Sequence, residues 1–266
     1  KIKNKVINEL IENKVPMITY QRGEFMSANA IILTILMPFM FPIILVSVII
    51  GFVVFRMNMK YKNSKYGQVS GNSFLKTIND RGNYGEYLTF QFLEKLQGDN
   101  KILTNIYIPR EDGTTTEIDL VMLNKSGIYV FESKNYSGWI FGDERYKEWT
   151  QSLKGGRKNR FFNPVWQNKA HINALRKLIS QIQNRYFYSY IVFSQRCELK
   201  RVSVSNPNVR VVKRDSLFSI LKNDISERPV VLSDVQINEI YKTLEKYSLA
   251  DAKMKERHME YVRSKV

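Results

Sequence analysis

Cysteine is nearly absent: Cys197 is the single one in 266 residues. An intramolecular disulfide and a multi-cysteine zinc site are thereby excluded. A reducing compartment fits, and Cys197 reads as a small core residue, since no base neighbours it in sequence. Histidine is scarce too, with His171 and His258 alone. His171 reads as a satisfied structural side chain and His258 lies in a charged tail, so neither is a candidate general base. Negative charge is outnumbered, 25 Asp and Glu against 41 Lys and Arg, for a formal charge of +16. That excess points to an anionic partner, nucleic acid or a lipid surface; a generic basic surface near a membrane explains the composition equally well. Internal repeats and low-complexity tracts are missing. The length suffices for one sizeable domain plus an appendage.

The chain starts at Lys1 rather than Met, and its first segment, residues 1–25, is polar. Arg22-Gly23-Glu24 can be encoded AGG-GGA-GAA, a purine-rich ribosome-binding sequence just ahead of a Met26 codon. Residues 1–25 are therefore expected to be translated upstream sequence of a bacterial gene, with the natural start at Met26. The alternative is a real amphipathic N-terminal helix, which "VINELI" supports.

Charge then disappears altogether. Ala28 to Phe55 holds no charged residue, and a bilayer core needs about 20 apolar residues in a helix. The run is long enough to span even when tilted. Membrane helices tolerate prolines such as Pro38 and Pro42 better than soluble helices do. No small-x-small pattern closes the run, which argues against a cleaved signal peptide. Arg56, Lys60, Lys62 and Lys65 follow it directly. Positive residues stay on the cytoplasmic side. The expectation is a single-pass cell-membrane protein, in contact with lipid through residues 28–55, whose remaining chain is cytoplasmic.

Residues 56–80 read as a basic juxtamembrane linker, rich in Gly and Ser around Gly67 to Ser73. Helical spacing of Tyr87, Leu88, Phe92, Leu93 and Leu96 predicts a helix from Asn83 to Gln97, stopped by Gly98. "KILTNIYI" from Lys101 reads as a strand, followed by the polar turn "PREDGTT". Thr116 to Gly138, "TEIDLVMLNKSGIYVFESKNYSG", reads as two strands joined by a turn at "NKSG". A hairpin turning near Gly142 to Glu144 follows. A helix is expected from Asn163 or Pro164, strands at "YSYIVFS" and "NVRVVKRD", and two helices from near Asp215 and Ser233. The whole is a mixed α/β sandwich.

Charges interrupt the two central strands. Side chains alternate with period two, which puts Glu117, Asp119 and Val121 on one face of the first strand. Ile128, Val130, Glu132 and Lys134 share one face of the second. Pairing through the turn would bring Asp119 near Glu132. Two close carboxylates repel unless a cation neutralises them, and hard oxygen ligands suit Mg²⁺ or Mn²⁺. A neighbouring ammonium can orient a water or stabilise phosphate charge.

Asp followed by Glu-x-Lys across a hairpin resembles the PD-(D/E)xK nuclease superfamily. "GNYGEYLTFQFL", "TTEIDLVMLNKSGIYVFESKNYSGWIFG", "EWTQ" and "NPVWQNKAHINAL" resemble, in order, the motifs of its nuclease-related domain, NERD, across roughly Arg81 to Leu221. The resemblance implies a restriction-endonuclease-like mixed sheet flanked by helices, preceded here by the one transmembrane helix read from the apolar run. It places that domain at residues 81–222 and a C-terminal helical segment at 223–266. It implies metal ligands at Asp119, Glu132 and Glu86, with Lys134 and Gln167 completing the catalytic set. Ile118 stands where the superfamily pattern has Pro. Glu117 reads as an outer group.

"KGGRKNR" clusters Lys154, Arg157, Lys158 and Arg160 beside Trp139, Tyr146, Trp149, Phe161 and Phe162. Such residues can grip phosphates and stack on bases; a solvated loop over an aromatic core is the equal alternative. The leading expectation is a membrane-tethered, metal-dependent nuclease acting on DNA rather than RNA. The alternatives are a non-catalytic nucleic-acid- or protein-binding module on the same fold, and a structural protein facing anionic lipid.

Overall fold

A computed structural model describes residues 37–109 and 114–248. Residues 1–25, the start of the apolar run, most of the "PREDGTT" turn, His258 and the C-terminal basic segment lie outside the described residues. The chain divides into two units, residues 1–56 and 57–266.

In the first unit, helix α1 (Met37–Lys62, which runs on into the second unit) carries Pro42 inside it. Its segment Phe39–Lys62 reaches a mean hydropathy of 2.5 and is the one helix among the described residues long and apolar enough to cross a membrane.

The second unit is a mixed α/β fold. Short helices α2 (Tyr66–Ser70) and α3 (Phe74–Asn79) lead into α4 (Arg81–Leu93). The stretch expected to be a linker is thus structured. Tyr61 and Tyr66 are buried and pack with Phe74, Tyr87 and Phe90, so aromatic burial outweighs the flexibility that Gly and Ser suggest. Asp80 caps α4 by accepting from the Asn83 N–H at 2.8 Å. The helix ends four residues before the expected Gln97, at Leu93.

Strands β1 (Lys101–Pro109), β2 (Thr115–Asn124) and β3 (Gly127–Lys134) form an antiparallel meander. β4 (Gly138–Asp143) and β5 (Glu148–Ser152) make the expected hairpin, and β6 (Lys158–Phe162) adds a third strand that the sequence reading did not include. Helix α5 (Pro164–Leu178) starts with Pro164 in its first turn behind an Asn163 cap. β7 (Phe187–Phe193), β8 (Cys197–Ser203) and β9 (Val209–Lys213) follow, then α6 (Arg214–Glu227) and α7 (Asp234–Glu245). A Ser233–Gln236 capping box opens α7. β8 escaped the sequence reading because "CELKRVS" is mostly exposed and polar.

The strands form two sheets, ordered β1-β2-β3-β7-β9 and β6-β5-β4-β8. β7 runs parallel to both β3 and β9, so the larger sheet is mixed. Its two faces bury separate clusters. Ile128 and Val130 pack with Ile172 and Leu175 of α5 and Ile237 and Ile240 of α7. Tyr129 and Phe131 pack on the other side with Tyr87 and Phe90 of α4 and Leu217 and Leu221 of α6. A third cluster joins Ile140, Trp149 and Phe193.

Candidate active site

β2 and β3 are joined at the Asn124–Gly127 pair, and their ladder runs to Leu120 opposite Phe131. The next residues along the strands are Asp119 and Glu132. Here the Asp119 carboxylate takes over from the ladder: Oδ2 accepts the Ser133 N–H at 2.8 Å. A break in alternation re-aims this part of β2. Ile118 and Val121, three residues apart, lie in the same core cluster, as do Leu103 and Ile106 on β1. Strict alternation would put each pair on opposite faces. The step is bracketed by the pairs Thr104–Leu120 and Ile106–Ile118, which set Asn105 against Asp119. Asn105 has φ 51°, the one positive value among described non-glycine residues; asparagine tolerates that region better than most. The expectation that Glu117, Asp119 and Val121 share a face therefore fails at this kink. Val121 is core, while Glu117 accepts a hydrogen bond from the Tyr107 hydroxyl.

Glu132 is buried at 1% exposure. Lys134 Nζ donates to Glu132 Oε1 at 2.7 Å and to Gln167 Oε1 at 2.9 Å. The other Glu132 oxygen lies 3.1 Å from His171 Nε2, and His171 Nδ1 lies 3.0 Å from Thr116 Oγ1. Gln167 and His171 are four apart on α5, hence on one helix face. His171 is a satisfied, buried side chain that orients Glu132. Its spacing from Gln167 was the signal for that role, and only the helix–sheet packing gives the spacing a meaning. On the opposite face Ser133 Oγ donates to Thr89 Oγ1 of α4 at 3.0 Å.

Electrostatics divide the acids. Burial favours neutral Glu132, but the Lys134 and His171 contacts outweigh it and hold the carboxyl below its usual range. Burial also opposes the Lys134 ammonium; the Glu132 and Asp119 charges win and keep it protonated above the usual lysine value. Asp119 is pushed well up by burial and by the Glu132 charge, against Lys134 and the Ser133 N–H. Glu86 on α4, within hydrogen-bond range of the Tyr66 hydroxyl at 3.4 Å, is likewise pushed well up by burial and by the Asp119, Glu117 and Glu132 charges. Excess negative charge thus collects around Asp119 and Glu86.

Carboxylate oxygens are the donor type that hard divalent cations take. Among the described residues no three His, Cys, Asp or Glu side chains form a ready cage, and Glu132 already has a partner at each oxygen. Mg²⁺ needs no such cage, since it keeps several waters and uses one or two carboxylates plus substrate oxygens.

The basic residues of "KGGRKNR" do not line one cavity together. All four are exposed at or beside the β5–β6 hairpin tip, and Arg160 faces Glu148 at 3.4 Å. Arg157 alone lines the cavity that contains Lys134. The neighbouring aromatics split in two. Trp149 is buried and packs with Phe161 and Phe193, whereas Trp139, Tyr146 and Phe162 are exposed. Cys197 is buried, and burial raises its thiol to about 11.

A family model described as the nuclease-related domain, NERD, matches residues 81–194. An uncharacterized protein of Bacillus anthracis is 33% identical over 186 residues, covering 70% of this chain and 85% of that protein. No solved structure matches.

Proposed function

The chain belongs to the nuclease-related domain family, and from that premise and the acidic site we propose a membrane-anchored, divalent-metal-dependent nuclease acting on DNA. The observation that carries the reading is one Lys134 ammonium bridging Glu132 and Gln167, with Asp119 poised beside it. Asp119 and Glu86, with the spare lone pairs of Glu132, are the residues that would hold Mg²⁺ or Mn²⁺. When bound, such a cation lowers the pKa of a coordinated water and offsets phosphate charge.

The protein's own groups do the rest. Lys134 stays protonated, and two of its three N–H donors go to Glu132 and Gln167. The third can face a non-bridging phosphate oxygen, where charge grows as the nucleophile attacks. Gln167 and Glu132 fix the direction of the ammonium; His171 fixes Glu132. The Ser133 N–H holds one oxygen of Asp119 and leaves the other for the cation. The apolar part of α1, followed by Arg56, Lys60 and Lys62 in the same helix, anchors the chain with the nuclease unit on the cytoplasmic side.

The test is cleavage of plasmid, single-stranded DNA and RNA by the full chain in detergent, with Mg²⁺, Mn²⁺ or EDTA. Metal-dependent cleavage is expected, with Asp119→Ala and Lys134→Ala each losing about 10²-fold or more. Cleavage unchanged in both variants would refute the site. Binding without cleavage of any substrate would favour the non-catalytic binding module, a reading consistent with each Glu132 oxygen already having one partner.

A further inference from the structure

Next to the acidic site lies a cavity of about 720 Å³, a size suited to a small ligand. Its wall carries Arg81, Lys134, Arg157, Arg196 and Arg214, and no Asp or Glu is among its lining residues. Arg214 is the unusual member. It is 2% exposed, and Nε donates to Thr89 Oγ1 at 3.3 Å. Its Nη2 is buried without any hydrogen-bond partner. Burial and the nearby Arg196 charge pull its guanidinium down to about 10, and among the described residues no Asp or Glu side chain is paired with it. A buried, unpaired guanidinium is costly unless a ligand supplies the counter-charge.

The surroundings are shaped around it. A Cβ on Gly85 would lie 2.9 Å from Asn135 Cβ and 3.5 Å from Arg214 Nη2. Glycine at that position, one residue before Glu86, leaves room for both. Arg196 is held at the rim by donating to the backbone and side-chain oxygens of Asn135, each at 3.1 Å. Tyr84, Tyr136 and Leu88 give the cavity apolar surface that a sugar or base can cover.

We propose that this cavity receives the phosphorylated end of a nucleic-acid strand, with Arg214 as the buried phosphate anchor and Arg196 and Arg157 at its rim. The choice of a strand as ligand rests on the nuclease reading above. Phosphate is the matching chemistry, because guanidinium forks pair with its oxygens in parallel. A terminal phosphomonoester carries up to two charges against one for an internal diester, and so answers a carboxylate-free cluster of arginines better. Lys134 on the same wall sets the terminal phosphate beside the bond to be cut.

The test uses the full chain in detergent and fluorescent oligonucleotides of one sequence: 5′-phosphorylated, 3′-phosphorylated, hydroxyl-ended, and circular with internal diesters only. Anisotropy in EDTA reads binding alone. A phosphorylated end is expected to bind roughly tenfold tighter than hydroxyl ends or the circle, with competition by inorganic phosphate. Arg214→Gln should abolish the preference, and the surface variants Arg196→Gln and Arg157→Gln should weaken it, which keeps the test decisive if Arg214→Gln does not fold. Equal binding of all four strands, or a preference untouched by Arg196→Gln and Arg157→Gln, overturns the proposal. Mg²⁺-dependent cleavage is measured in parallel. Cleavage without end preference removes the pocket alone; end preference without cleavage removes the nuclease reading alone.

Discussion

Asn105 shows how much one backbone angle decides. It stands opposite Asp119 with φ 51° and marks the step where both strands lose their alternation. A β-branched residue there is strained whatever its volume. Asn105→Val is expected to cost about 1–3 kcal/mol in thermal or denaturant melts. It should also lower cleavage by about 10²-fold through misplacement of Asp119, whereas Asn105→Gly should recover much of both. Wild-type cleavage by the valine variant would show that the kink does not position the acid. Sequence reading singled out Asp119, Glu132 and Lys134, since charged residues inside apolar strands stand out, and the family resemblance added Glu86 and Gln167. It read His171 as a satisfied structural side chain without its partner Glu132, and it had no access to Asn105 or Arg214, whose roles arise from partners far along the chain.

Between elements, Asp224 of α6 is the clearest tie. Arg210 of β9 donates to it twice, at 3.1 Å each, Arg228 donates at 3.2 Å, and the Tyr190 hydroxyl of β7 donates as well. Burial would raise this carboxyl, but these hydrogen bonds and the arginine charges hold it below the ordinary aspartate value. The unfolded carboxyl titrates near about 3.9. The added stability is therefore complete above that pH and is lost as pH falls through the lower folded value. Asp224→Asn is expected to destabilise the protein by about 3–5 kcal/mol at neutral pH. It should also flatten the fall in stability between about pH 4 and the folded pKa. Urea melts across pH would show both, and parallel pH curves for the two proteins would contradict the assignment. The same scale explains the misread elements. Strongly apolar strands such as "FYSYIVF" were legible, whereas β6 and β8 exist because neighbouring strands offer them hydrogen bonds.

The whole molecule joins an apolar helix to a basic, acid-centred domain. If α1 spans the membrane as proposed, the full chain should remain in the membrane fraction through alkaline carbonate washing. A C-terminal tag should be cut by protease only after the membrane is permeabilised. Release by carbonate would contradict the anchor, and cleavage of the tag in intact spheroplasts would reverse the orientation. Composition made the long apolar helix legible early, since an uncharged run followed by lysines needs no partner to be recognised.

The sequence alone determined the local matters: the apolar run, the helix starts at Asn163 or Pro164 and near Ser233, the central strands, and which charges sit where apolar residues are the rule. These follow from near neighbours and periodicity, which a linear chain carries in full. Only the tertiary structure decided that Lys134 reaches Gln167, that His171 steadies Glu132, that the supposed linker packs through Tyr61 and Tyr66, and that Arg214 is buried with Nη2 unpartnered among the described residues. Each of these depends on a side chain's distant surroundings, because hydrogen-bond satisfaction and desolvation are set by what folding brings within a few ångströms.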